Sequence, residues 1–174
     1  MENKYLEFIK TRRSCRFFKP EQISDEELQA VIEAGTYAPS GHSKYNCKIV
    51  AVRNPEYREE LSKMNGKIFG VDSDPYYGAP TIVLVFAPED SPNAVLDGSA
   101  IMENLLLGAH AIGLGACWIN RERQMFSSQR GIEIMKEWGL PEGMIGIGGM
   151  ALGYRTRPAG APKPRREGLF KIID

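Results

Sequence analysis

The chain has 174 residues, 43% of them hydrophobic, and its 22 Lys and Arg residues balance its 22 Asp and Glu residues. This length suits one domain with one core, residues 1–174. The zero net charge gives no overall basic field for nucleic acid or an anionic membrane, and no binding motif for nucleic acid is present. These values exclude a strongly basic nucleic-acid protein and leave local charge clusters as the features of interest.

Cysteine usage and hydropathy also restrict the class of protein. The three cysteines form no CxxC pair, and with only two histidines they indicate neither a disulfide framework nor a metal site. No stretch approaches the roughly 18 apolar residues of a membrane span. The first ten residues carry charges throughout and lack the apolar stretch of a secretory signal. We therefore expect a soluble protein of the cytoplasm.

The first predicted elements flank a cluster of arginines. Apolar residues alternate with charges over residues 3–12 and predict a short amphipathic helix, which delivers the arginines of "TRRSCRFF" at or just after its end. Ser24 and Glu27 have the spacing of a capping box and predict the start of a second helix. That helix should end before Pro39, where "APSGHSKYN" is typical of a loop.

The middle of the chain alternates strands with helices. Residues 47–52 and 79–88 are predicted strands, and residues 54–64 between them form a polar surface helix. Residues 93–113 carry apolar or small side chains in nearly every direction around a helical wheel. This pattern favours a central helix that is buried on one side by its own subunit and on the other by a second subunit.

The last third of the chain ends in an unusual arm. We predict a strand at residues 116–119, a helix at 127–140 and a glycine-rich strand at 144–154. The final twenty residues begin as a Pro, Gly and Arg segment that cannot form a core, and they end in the strand-like "LFKII". An arm that crosses to a partner subunit explains this arrangement.

Two basic groups near opposite ends of the chain are candidate phosphate ligands. One contains Arg12, Arg13, Ser14 and Arg16, and the other contains Lys163, Arg165 and Arg166. Arginine forks match phosphate oxygens, and serine can add a hydroxyl donor. The alternative is two solvated basic runs. No GxGxxG spacing or Walker A lysine is present, so phosphate binding would use another design.

Other polar residues give weaker signals. The turn at residues 39–41 could present backbone amides to a ligand, but on this evidence alone an ordinary connector is the favoured interpretation. His110 lies in the apolar central helix and His42 in a loop, so they do not suggest a catalytic pair. Cys15 has arginine neighbours but no base, and it is better explained as a packed side chain.

Four stretches in order resemble the nitroreductase family of FMN-dependent oxidoreductases. They are "RRSCRFF", "APSGHSKYNCKIVAV", "DGSAIMENLLLGAHAIGLGACWI" and "MALGYRTRPAGAPKPRR". The resemblance implies an α+β fold with a mixed sheet flanked by helices, a long central interface helix and a C-terminal arm exchanged in a homodimer. It also implies two FMN sites at the interface, each built from both chains.

The implied site residues all contact FMN. At the phosphate and ribityl chain, the resemblance implies Arg12, Arg13 and Ser14, with Lys163 and Arg165 completing the phosphate site and Arg166 as the alternative to Arg165. At the flavin ring, it implies Arg16 near the pyrimidine edge, the backbone of Trp118, Ile119 and Asn120 near N5, and Pro39, Ser40 and Gly41 from the partner chain. Asn65 and Lys67 match ring-contacting positions only loosely. No catalytic side chain is implied, because the flavin carries the chemistry.

The resemblance implies an enzyme that takes hydride from NADH or NADPH and reduces a nitroaromatic, a quinone or an activated alkene by a ping-pong route. Residues 43–47 depart from the family's usual loop sequence, and little sequence separates the central elements, which suggests an open pocket. Two alternatives stay open: a flavin-binding module for storage or redox sensing, and a flavin-fragmenting or dehalogenating enzyme of the same fold.

Overall fold

The protein is given by a computed structural model that describes residues 3–173. Its helices are α1 (Lys4–Thr11), α2 (Asp25–Thr36), α3 (Pro55–Phe69), α4 (Ala94–Ala111), α5 (Glu122–Phe126) and α6 (Gln129–Glu137), with a short 3-10 turn at Gly41–Ser43. Its strands are β1 (Lys48–Val52), β2 (Thr81–Pro88), β3 (Gly115–Ile119) and β4 (Met144–Gly153). None of these helices combines the length and the apolar composition needed to cross a bilayer.

The four strands form one sheet in the order β1-β2-β4-β3, and every neighbouring pair is antiparallel. Outside the four strands, Ser14 forms an isolated parallel bridge to Ala116 of the edge strand β3. Strand β2 lies inside the sheet, and all but its last residue are buried. The run "TIVLVFA" is continuously apolar after its threonine because both faces of this strand are covered.

Each face of the sheet carries its own apolar cluster. Successive side chains of β2 point to opposite faces, so Leu84 packs with α3, α5 and α6, whereas Val83 packs with α2 and α4. Met102 of α4 is fully buried in the second cluster, but Val95 and Leu96 at the start of that helix are 57% and 68% exposed. Helix α4 is therefore covered by its own chain on one side only.

Local signals account for most helix ends. The Ser24 hydroxyl accepts from the Glu27 amide at 3.1 Å, and the Glu27 carboxylate accepts from the Ser24 amide at 2.9 Å, which confirms the predicted capping box. Asn54 caps α3, and Gly70 ends it with a φ of 75°. That left-handed conformation suits glycine, which has no Cβ.

Two predictions about the last third of the chain need correction. The predicted helix at 127–140 is shorter, because Ser128 accepts from the Gly131 amide and starts α6 only at Gln129. A separate helix, α5, precedes it and was not predicted. Residues 169–173 form no strand within the described chain, and Phe170 is 82% exposed.

Candidate functional site

The arginine-rich segment is fixed along the edge of the sheet. The Cys15 amide donates to the Ala116 carbonyl at 2.8 Å, and the Lys19 amide donates to the Tyr154 carbonyl at 2.9 Å. Cys15 itself is 8% exposed and its thiol contacts the Phe17 carbonyl. Gly115 permits this close approach, because a Cβ there would lie 2.8 Å from the Cys15 sulfur. The expected packed role of Cys15 is confirmed.

The three arginines of this segment have different partners. Arg13 turns back and donates to the carbonyls of Lys10 and Arg12, so it caps α1. The Arg12 guanidinium lies 3.7 Å from the Glu103 carboxylate. The Arg16 side chain contacts Tyr77 in the loop before β2.

A basic cavity of about 230 Å³ opens beside this segment. Its wall combines side chains of the segment with residues that follow β4: Arg13, Ser14, Cys15, Arg16, Phe17, Arg155, Arg157, Pro158, Ala159 and Gly160. The Arg155 guanidinium is held by two bonds to the Leu114 carbonyl, at 3.1 and 3.0 Å. The Arg157 guanidinium lies 3.4 Å from the centre of the Phe17 ring. Several fixed cations around one hydroxyl suit an anionic ligand.

A second cavity, of about 220 Å³, lies against the loop after β3. Its lining includes Trp118, Asn120, Arg121 and Tyr77, and we call it the aromatic cavity. The Arg16 guanidinium donates to the Tyr77 hydroxyl at 3.3 Å, and this hydrogen bond raises the pKa of Arg16. Because Arg16 lines the first cavity and Tyr77 lines the second, the basic and aromatic cavities meet at this contact.

The comparisons with known proteins agree with this geometry. Residues 9–154 match the model of the nitroreductase family. The chain belongs to the nitroreductase family. A family relative from Archaeoglobus fulgidus, provisionally named an NADH dehydrogenase/NAD(P)H nitroreductase, is 31% identical over 154 residues, which are 86% of this chain and 84% of that protein.

Two crystal structures of nitroreductases with bound FMN share the fold. The one from Bacteroides fragilis has a TM-score of 0.90 at 31% identity and covers 99% of this chain and 100% of its own. The one from Desulfitobacterium hafniense has a TM-score of 0.88 at 27% identity and covers 100% of both chains. The predicted family and the α+β fold class are thus confirmed.

The loop at residues 39–41 borders a different cavity from the arginine-rich segment of this chain. It borders a third cavity, of about 260 Å³, whose lining shares no residue with the other two. The Asp97 carboxylate on α4 accepts from the Ser40 hydroxyl at 3.0 Å and from the Gly41 amide at 2.9 Å. One chain alone therefore does not bring this loop to the arginines.

The remaining predicted residues do not line the basic or the aromatic cavity. Asn65 is fully buried, does not line the aromatic cavity, and contacts Asn120 and Arg121, which do line it. Lys67 is exposed on α3. Lys163 and Arg165 are exposed in the arm, where they contact each other, and they line neither the basic nor the aromatic cavity.

Sequence reasoning missed three side chains of the site. Arg155 and Arg157 precede the basic group that was predicted, and they were available as signals in the same "RTR" triplet. Tyr77 follows α3 in the loop "DSDPYYG", where no periodic pattern marks it. Its position depends on Asp74, whose carboxylate accepts from the Tyr76 and Gly78 amides at 2.9 and 2.7 Å.

Proposed function

We propose that this chain binds FMN across the basic and aromatic cavities and transfers hydride from NADH or NADPH to a small electron-poor acceptor by a ping-pong route. The observation that carries the proposal is the Arg16–Tyr77 contact, at 3.3 Å, where the two cavities meet. It brings the cavity that carries the phosphate-type donors next to the cavity that carries the aromatic side chains. An elongated ligand with one anionic end and one planar end fits that order.

The donor set suits the phosphate end of FMN. Ser14 can offer a hydroxyl, and Arg155 and Arg157 bring positive charge to the same cavity. Phosphate oxygens are bound well by arginine forks, since each fork presents parallel N–H donors. Arg12 precedes Arg13 of this cavity in the chain, and exchanging its contact with Glu103 for a phosphate would release only a long, partly exposed ion pair.

FMN, when bound, supplies the hydride-transfer chemistry, and the residues of this chain bind and orient it. Arg16 would hold a positive charge near the pyrimidine edge, which favours the negative charge that the ring gains on reduction. Tyr77 fixes the direction of that guanidinium. Backbone groups of residues 118–120 would face the N5 edge, and the aromatic wall would exclude water from it. Nitroaromatics, quinones and activated alkenes are the acceptor classes we propose.

We also propose that the site is completed in a homodimer. The Pro39–Gly41 loop borders a separate cavity in this chain, and in a dimer it could line the ring held by the partner. Among residues 3–173, strand β1 pairs only with β2, so its outer edge is open. The exposed apolar residues at the end of the arm, 65–82% accessible, suit pairing with such an edge. Lys163 and Arg165 would then reach a phosphate of the assembled dimer.

The proposal is tested by FMN titration of three arginine variants. Arg12→Gln should raise the Kd for FMN at least about 10-fold, since one charged phosphate contact is worth about 1.5 to 3 kcal/mol. Arg16→Gln should mainly lower the midpoint potential of the bound flavin. Arg53→Gln is the matched control, because Arg53 pairs with Asp25 at a distant surface. Equal Kd and potential in all three variants would contradict the assignment.

The oligomeric proposal has its own measurement. Removing residues 159–174 deletes the arm but leaves the last strand intact. Light scattering should give a dimer for the full chain and a smaller mass or a weaker dimer for the truncated chain, and the truncated chain should lose FMN on desalting. A monomeric full chain that retains FMN would overturn the two-chain site.

A further inference from the structure

A buried acid lies next to the loop of the candidate flavin site, and the proposed function does not use it. Glu122 begins α5 and is 1% exposed. One carboxyl oxygen accepts from the Tyr76 hydroxyl at 3.2 Å, and the other has no hydrogen-bond partner among residues 3–173. Buried carboxyl groups are normally fully paired, so this residue calls for a physical explanation.

A continuous hydrogen-bonded chain connects Glu122 to the wall of the aromatic cavity. The Asn65 amide donates to the Tyr76 hydroxyl at 3.3 Å and to the Asn120 carbonyl at 3.0 Å. The Arg121 guanidinium donates to the Asn65 side-chain oxygen at 2.7 Å. Asn120 and Arg121 both line the cavity. Glu122 directly follows Arg121 in the chain, and it is also linked to the Asn120 carbonyl by hydrogen bonds through the side chains of Tyr76 and Asn65.

The loop at Asn120 and Arg121 is held in its conformation by side chains from other elements. Arg121 has a φ of 87°, a left-handed conformation that costs free energy for a residue with a Cβ. Its guanidinium packs over the Phe69 ring, 4.1 Å from the centre, and bonds to Asn65. Because Asn65 also holds the Asn120 carbonyl, the loop conformation depends on the position of Asn65, and that position depends on Tyr76 and Glu122.

Few charges face the Glu122 carboxyl. The groups that act on it are the Tyr76 hydroxyl, the Arg121 guanidinium and the amides of Glu122 itself and Gly149. The charge of Asp74 acts on the Tyr76 hydroxyl. Burial outweighs these favourable groups and raises the pKa of Glu122 to about 7. Both protonation states are then populated near neutral pH.

We propose that Glu122 is a positioning residue of the flavin site, acting through Tyr76 and Asn65 on the Asn120–Arg121 backbone, and that its ionisation lowers the reduction potential of the flavin held there. The proposal rests on the proposed function. A negative charge in this poorly solvated region opposes the gain of negative charge by the ring. Neutral Glu122 lacks this effect, so the potential depends on the proton that it carries.

The test is the midpoint potential of the FMN-loaded protein between pH 6 and 8, for the wild type and Glu122→Gln. Ionisations of the flavin itself occur in both proteins, so their difference isolates Glu122. We expect similar potentials at pH 6 and a higher potential for Glu122→Gln at pH 8, with the difference growing through about pH 7. Glu59→Gln, an exposed carboxylate change on α3, should leave the curve unchanged.

A second variant and a second measurement test whether the effect comes from the ionisation of Glu122. Tyr76→Phe removes a hydrogen bond that favours the ionised acid, so it should move the potential change to higher pH. Infrared difference spectra of the flavin-free protein should show a protonated carboxyl band at pH 6 that is weaker at pH 8 and absent in Glu122→Gln. Parallel potential curves in loaded wild type and Glu122→Gln overturn this proposal alone. Failure of both proteins to bind FMN overturns the proposed function and, with it, this proposal.

Discussion

Replacing Glu122 with glutamine should make the stability of the flavin-free protein less sensitive to pH. The pKa of Glu122 is raised from 4.5 to about 7 in the folded protein. Between these values the folded state binds more protons than the unfolded state, so stability is full below pH 4.5 and falls as the pH rises through 7. Each unit of pKa shift is worth about 1.4 kcal/mol, which gives about 3 kcal/mol over the whole window.

About 2.5 kcal/mol of this change falls between pH 5 and pH 8. Glutamine has no ionisation, so the free energy of unfolding of the wild type should drop by that amount relative to Glu122→Gln. His110 contributes a pH dependence of the opposite sign, because burial lowers its pKa, but this contribution is the same in both proteins. A constant offset between the proteins, from packing of the amide, is not part of the prediction.

Urea unfolding of both proteins at equal concentration, in steps from pH 5 to pH 8, measures the difference. Glu59→Gln is the control, since the pKa of that exposed carboxylate is lowered by Lys63 and lies below the window. Profiles for the wild type and Glu122→Gln that stay parallel within about 0.5 kcal/mol would refute the reasoning, because measured offsets of that size arise without any titration.

Three further substitutions test the supports of the site by urea unfolding. Asp97→Ala leaves the Ser40 hydroxyl and the Gly41 amide without their acceptor and should lower the free energy of unfolding by about 2 to 4 kcal/mol, whereas Asp97→Asn should lower it less. Equal stability of the wild type and both variants would contradict a stabilising role for these two hydrogen bonds. Gly115→Ala should lower the free energy of unfolding by about 1 to 3 kcal/mol, because the new methyl group would clash with the Cys15 sulfur. Adding Cys15→Ala to this variant should recover part of the loss, and strictly additive effects of the two changes would contradict the clash. Ser24→Ala should cost about 1 kcal/mol through the lost cap, and an unchanged midpoint would argue against it.

Local patterns predicted most of the fold. Ser24 and Glu27 are three residues apart, and their contacts involve only their own backbone, so the start of α2 was readable directly. The continuous apolar run of β2 and the apolar wheel of α4 gave those two elements nearly at their observed bounds. Helix α5 was missed because "ERQMF" is too short for a helical period to show.

The candidate site depends on long-range pairing that no local pattern reports. The arginine segment is placed by the bridge between Ser14 and Ala116, which lie about a hundred residues apart in the sequence. Tyr77 and Arg16 are 61 residues apart in the sequence, so no local pattern predicts their contact. The protein contacts of Arg13 and Asn65 were not visible in the sequence for the same reason, and the flavin contacts implied for these two residues stay predictions. The flavin contacts implied for the exposed arm stay predictions.

The most direct test of the central claim is the absorbance spectrum of the purified protein after reconstitution with FMN and desalting. The account predicts a retained flavin band at about one FMN per chain, which is bleached by NADH or NADPH without oxygen and restored by an electron-poor acceptor. A colourless protein that also fails to quench free FMN fluorescence would contradict a flavin site at the junction of Arg16 and Tyr77.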